Sequence, residues 1–140
     1  MLTWDESRFS LGVADMDDAH REFIALVTLQ TQADEAEFTF LFQKLMEHAR
    51  MHFTEEGWLM RLCKFQALAE HESEHHRLLG ELMQLKHSLS RGRTALVRAY
   101  VKNGLPEWFR LHLATMDAAL AAQLKRMEIT GMAADKQAAC

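Results

Sequence analysis

Proline and tyrosine each occur once in these 140 residues, cysteine twice and glycine six times. Two cysteines, Cys63 within the chain and Cys140 at its end, exclude a disulfide framework. With few turn formers and few β-branched runs, a sheet is not expected. No stretch approaches the roughly 18 apolar residues that a membrane-spanning helix needs. The opening "MLTWDESRFSLG" lacks a basic leader followed by an apolar core. The formal charge is -4 and no long basic run occurs, which argues against nucleic acid or an anionic membrane as partner. The expectation is a soluble, cytoplasmic protein with no protein partner legible in its sequence. Its hydrophobic content of 49% suits one globular domain.

Histidine, by contrast, is abundant: there are eight. Apolar residues recur at spacings of three and four almost throughout, which predicts an all-α protein. The first helix is expected to start at Asp17 or Asp18 and to end near Ala33, after an N-terminal arm over 1–16. The second should run from about Glu37 to Cys63, and the third from about Ala67 to Leu89. A fourth, from about Thr94 to Met127, meets "NGLPEW", where Gly104 and Pro106 are expected to break it. The domain is thus read as 1–128, with 129–140 a frayed, flexible tail. Four apolar stripes joined by short links predict an antiparallel up-down-up-down four-helix bundle.

In that topology seven polar side chains fall at a similar depth: His20, His52, Glu56, His71, His75, His112 and Asp117. "HESEH" and "HFTEE" place residues at i and i+4 on one helix face, about 6 Å apart along the axis, close enough to share a metal. Five imidazoles and two carboxylates exceed what one ion accepts. They suit two ions roughly 3.5–4 Å apart, bridged by the carboxylates. That donor mixture favours iron over closed tetrahedral zinc. His112 and Asp117, five apart, diverge by about 140° on a regular helix. Either a π-turn or a site that wraps around the helix would reunite them.

Trp4, "GVADMDDAH" ending at His20, "HFTEEGWLM", "HESEH" and "WFRLHLATMD" resemble, in order and spacing, the signatures of the hemerythrin family, non-haem di-iron oxygen-binding proteins. The resemblance implies that His71, His75 and His112 bind one iron and that His20 and His52 bind the other. It further implies that Glu56 and Asp117 bridge the pair, with a solvent-derived oxo or hydroxo group completing the bridge. Dioxygen would then bind reversibly at the less coordinated iron, in a dry pocket for which Phe53, Met60, Trp108, Phe109 and Leu113 are candidates. Against the usual pattern, Phe109 stands where leucine is common and Leu120 where tyrosine is.

The resulting expectation is an oxygen carrier, store or delivery protein rather than an enzyme. An oxygen- or redox-sensing signalling module, the chain then being part of a larger protein, ranks second. A di-iron enzyme consuming peroxide or nitric oxide ranks third. His48, His76 and His87 lie outside the pattern and read as surface or boundary residues. Glu70, Glu72 and Glu74 read as a solvated face.

Overall fold

The computed structural model describes residues 2–129. A short helix α1 (Glu6–Phe9) precedes three long ones, α2 (Ala14–Gln32), α3 (Glu35–Leu62) and α4 (Leu68–Ser90). The fourth rod joins α5 (Thr94–Ala99), α6 (Leu105–His112) and α7 (Ala118–Arg126) through π-helical turns at Tyr100–Gly104 and Leu113–Asp117. α2 packs on α3, α3 on α4 and α4 on α5, while the Tyr100–Gly104 turn closes the ring against α2. The result is the antiparallel four-helix bundle that short links require. No helix among the described residues is long and apolar enough to cross a membrane.

Local chemistry sets most of the helix ends. Asp34 caps α3, its carboxylate accepting from the Glu37 N–H at 2.9 Å, a bond that typically contributes about 1 kcal/mol. Gly92, at φ +80°, supplies the left-handed residue that turns the chain out of α4 toward α5.

α2 departs from expectation by starting at Ala14, ahead of both aspartates that seemed fit to cap it. Asp17 is instead buried, and accepts from the Ser10 hydroxyl and the Leu11 N–H, each at 2.8 Å. Its carboxylate fastens the N-terminal arm rather than opening the helix. That arm is itself structured: Asp5 caps α1, and Leu2 and Phe9 are buried in the core. Of the expected tail, Ile129 packs in the core, and 130–140 lie outside the described residues.

The expected break at Gly104 and Pro106 does not occur. Leu105 donates its N–H to the Tyr100 carbonyl, five residues back, and Pro106 falls in the first turn of α6, where proline is tolerated. Gly104 is required for a different reason: a Cβ there would lie 2.9 Å from the Tyr100 ring, which rests against the backbone.

Two apolar clusters fill the bundle. The larger includes Phe23, Phe38, Phe42, Leu45, Ala49, Leu78, Leu82, Phe109 and Leu113. The smaller includes Val13, Met16, Leu59, Met60, Leu120 and Leu124. Between them every long helix changes chemistry: His20 follows Met16 and precedes Phe23, His52 and Glu56 separate Ala49 from Leu59, and Asp117 separates Leu113 from Leu120. His71 and His75 precede Leu78 on α4.

Of the two ways to reunite His112 and Asp117, the chain uses the π-turn at Leu113–Asp117, which accommodates one extra residue. Deleting exposed Ala114 leaves a four-residue spacing that a plain α-helix already carries on one face. Chemical denaturation should therefore find stability within about 1 kcal/mol of the parent chain. A loss of several kcal/mol would show that the turn has a structural role beyond accommodating that residue.

Candidate metal centre

Seven side chains meet in the polar layer, each carried by a rigid helix: His20 on α2, His52 and Glu56 on α3, His71 and His75 on α4, His112 at the end of α6 and Asp117 at the end of the second π-turn. All are buried, Glu56 and His71 to 1% exposure. The sequence placed these same seven at one depth, and the fold brings all seven together.

The two carboxylates organise the cluster. Glu56 turns Oε2 toward His52 Nε2 at 2.7 Å and His20 Nε2 at 3.8 Å. Its other oxygen, Oε1, lies 3.1 Å from His71 Nε2 and 3.3 Å from His75 Nε2. Asp117 repeats the arrangement, with Oδ2 at 3.1 Å from His20 and Oδ1 at 3.1 Å from both His71 and His112. Each acid thus spans two histidine groups, His20 with His52 and His71 with His75 and His112. Ligand atoms of Glu56, His71, His75, His112 and Asp117 converge within 4.8 Å of one another, and so do those of His20, His52 and Glu56.

Apart from the contact of His75 Nε2 with His112 Nε2 at 3.2 Å, convergence is not hydrogen bonding here. His20 Nε2, His71 Nε2, both oxygens of Glu56 and Asp117 Oδ1 are buried without a hydrogen-bond partner around the space they share. Orphaned buried polar groups cost about 1–3 kcal/mol each. Several together rival the whole stability of a domain, about 5–15 kcal/mol. Cations in that shared space would satisfy all of them, and two hard carboxylates among five imidazoles fit a pair of iron-like ions.

Electrostatics in the absence of a cation point the same way. Burial pulls the His20 imidazolium down, but the negative carboxylates of Asp117 and Glu56 beside it outweigh that and raise its pKa to about 10. His71, with the same opposing causes, rises to about 9. Burial pushes Glu56 and Asp117 up, and the surrounding histidines more than reverse it, so both carboxyls lie well below their usual range. Protons on His20 and His71 therefore stand in for missing positive charge.

Aromatic plates fix the imidazoles. The Phe53 ring lies parallel on His75, centroids 3.8 Å apart. Trp108 lies nearly parallel on His112 at 4.6 Å, and its indole N–H donates to Glu74 at 2.9 Å. Glu74 also takes three bonds from Arg77, so this acid anchors the indole rather than forming part of a merely solvated face. Glu72 is bound to Arg61 at 2.7 Å.

A small cavity of about 20 Å³, room for about one water-sized molecule, opens on the cluster. His20, His52, His112 and Asp117 line it, and Phe53, Trp108 and Phe109 wall it as expected. Phe109 stacks on Phe23 and meets His20 edge-on at 5.6 Å, narrowing the space. Met60 packs in the smaller apolar cluster and Leu113 in the larger; neither lines this cavity. Phe23, Ala49 and His48 do line it, and the sequence reading assigned none of them to a pocket. A signal existed for two: Ala49 and His48 lie three and four residues before His52, on the same helical face.

Residues 11–124 match the family model described as the hemerythrin HHE cation binding domain. Bacteriohemerythrin of Ralstonia nicotianae is 32% identical over 117 residues, covering 84% of each chain. The fold superimposes on crystal structures of wild-type hemerythrin, with a TM-score of 0.81 at 21% identity and coverage of 89% of this chain and 98% of that one. A single-substitution variant of hemerythrin gives a TM-score of 0.82 at 21% identity, covering 89% and 97%.

The pKa pattern dictates how the protein behaves without metal. His20 and His71 are raised above the ordinary 6.5, so the stability they contribute is full below that value and is lost as pH rises through about 9 to 10. The depressed carboxyls contribute stability that is full above 4.5 and 3.8, their ordinary values, and is lost on acidification. Chelator-treated protein should be most stable near neutrality and fall on both sides. Metal uptake at pH 7 should release the protons of His20 and His71, read as acid liberated into unbuffered solution. Loading without proton release would contradict these assignments.

Proposed function

The chain belongs to the hemerythrin family, and we propose that it binds dioxygen reversibly at a di-iron centre held by His20, His52, Glu56, His71, His75, His112 and Asp117. We assign that centre to a domain spanning 1–128 of a cytoplasmic protein. The opposed oxygens of Glu56 and Asp117 support a bridging role for both acids. With the bridges counted for each ion, His71, His75 and His112 give one ion five protein ligands, and His20 with His52 give the other four. A solvent-derived oxo or hydroxo bridge would complete the coordination of the ion among His71, His75 and His112 and leave the ion at His20 and His52 one ligand short.

The observation that carries the reading is the position of the cavity. Both histidines of the shorter set, His20 and His52, line it, against His112 alone of the larger set, which supports free space on the side where coordination would be incomplete. Two ferrous ions held by these residues would supply the two electrons that dioxygen takes on binding and returns on leaving.

The protein's part is containment. Phe23, Phe53, Trp108 and Phe109 wall a space of about 20 Å³ with apolar rings, which disfavour the bulk water that would otherwise compete for the open position. Phe53 and Trp108 hold the His75 and His112 rings in place. Neutral imidazoles outnumber carboxylates five to two, a donor balance that stabilises high-valent iron poorly and so favours binding over oxidation of a substrate.

Iron analysis with optical titration tests the proposal. Protein reduced anaerobically should hold two irons per chain, develop near-ultraviolet and visible bands with air and lose them under argon over repeated cycles. Glu56→Ala, which removes an acid facing both histidine groups, should lower iron to one per chain or fewer and abolish cycling. His76→Ala, at an exposed position, should keep both. Bands that never reverse, or full iron in Glu56→Ala, would overturn the reading.

A further inference from the structure

Resting on the dioxygen-binding reading, a second question is how the ligand reaches so enclosed a space. Most residues lining the cavity are buried; only His48, Phe53 and Trp108 are in part exposed, so any route from solvent passes one of these three. Phe53 has open space on its far side, a surface groove between α3 and α4 lined also by Arg50, Gly57, Arg61, His75 and His76. Yet Phe53 lies flat on His75 at 3.8 Å, and moving it would expose that imidazole to water. Trp108 is clamped twice, by stacking on His112 at 4.6 Å and by its bond to Glu74.

His48 is held differently. Its side chain is 14% exposed, and its Nε2 lies 3.3 Å from Oε2 of Glu22 on α2, a carboxylate 69% exposed. On the inner side Nδ1 is buried with no hydrogen-bond partner, so no polar contact ties the ring to the interior. Its one ring neighbour, His52, is parallel but 6.0 Å away. A single polar contact to a carboxylate this exposed biases a conformational equilibrium by only about a few-fold. Rotation of His48 toward solvent would open the wall between α2 and α3 without uncovering Phe53, Trp108 or the polar cluster's clamps.

We propose that His48 is the door of the cavity, latched from outside by Glu22, and that ligands enter and leave between α2 and α3 past its imidazole. His48 thereby controls access: a small neutral molecule passes during brief openings, whereas a larger or charged one, needing a wider opening beside Glu22, passes more slowly. The polar latch also returns the ring to its place once the ligand is inside.

A door has a kinetic signature that a binding contact lacks, because it changes entry and exit alike and leaves the equilibrium constant untouched. In the iron-loaded protein, His48→Ala should raise dioxygen association and dissociation rates together by about tenfold. Glu22→Gln, on the surface and harmless to folding, should raise both by about a few-fold. Azide entry into the oxidised protein, followed optically, should accelerate more than dioxygen entry in both variants, giving a readout independent of oxygen carriage. Unchanged rates in both variants, or a change confined to dissociation, would overturn the proposal. So would acceleration in Phe53→Ala alone, which would place the entrance at the α3–α4 groove. Failure of the parent protein to take up dioxygen at all would instead overturn the reading beneath it.

Discussion

Two carboxylates, Glu56 and Asp117, each turned with one oxygen to one group of histidines and one to the other, are the constraint around which this bundle is arranged. Both are buried to 2% exposure or less, a placement that is prohibitive for an unpaired charge. The five imidazoles around them answer part of that cost, and cations held in the layer would answer the rest. The apolar clusters above and below keep water out of the layer, so the electrostatics of the site and the hydrophobic core are one problem with one solution.

Much of this was legible in the sequence because it depends on local periodicity. His52 with Glu56 and His71 with His75 share a face through the pitch of the helix. What was not legible depends on distant partners. Asp17 reads as a helix cap until the arm residues Ser10 and Leu11 are seen to occupy its oxygens. The sequence left two solutions open for His112 and Asp117, since a π-turn is a response to packing that propensity does not encode. Pro106 and Gly104 suggested a break, yet the neighbouring π-turn absorbs the missing N–H and the rod runs on. The cavity walls were half legible: aromatic residues advertised themselves, while Met60 was assigned to the pocket although its helix points it into the other cluster.

The aromatic plates explain how a reactive site can be rigid and yet reachable. Phe53 and Trp108 lie against imidazoles that the cluster already holds, so each ring is fixed by stacking on one side and by its helix on the other. His48, tethered only to a surface carboxylate, is the one part of the wall whose movement costs little. Rigidity belongs to the ligands and mobility to the entrance, a division that lets ligands exchange without disturbing the metal geometry.

Anomalous diffraction at the iron absorption edge, from crystals of protein loaded under anaerobic conditions, tests the central claim most directly. Two separate peaks at full occupancy are predicted, one among His20, His52, Glu56 and Asp117 and the other among His71, His75, His112 and the same two acids. A single peak, or iron seated away from either carboxylate, would contradict the account.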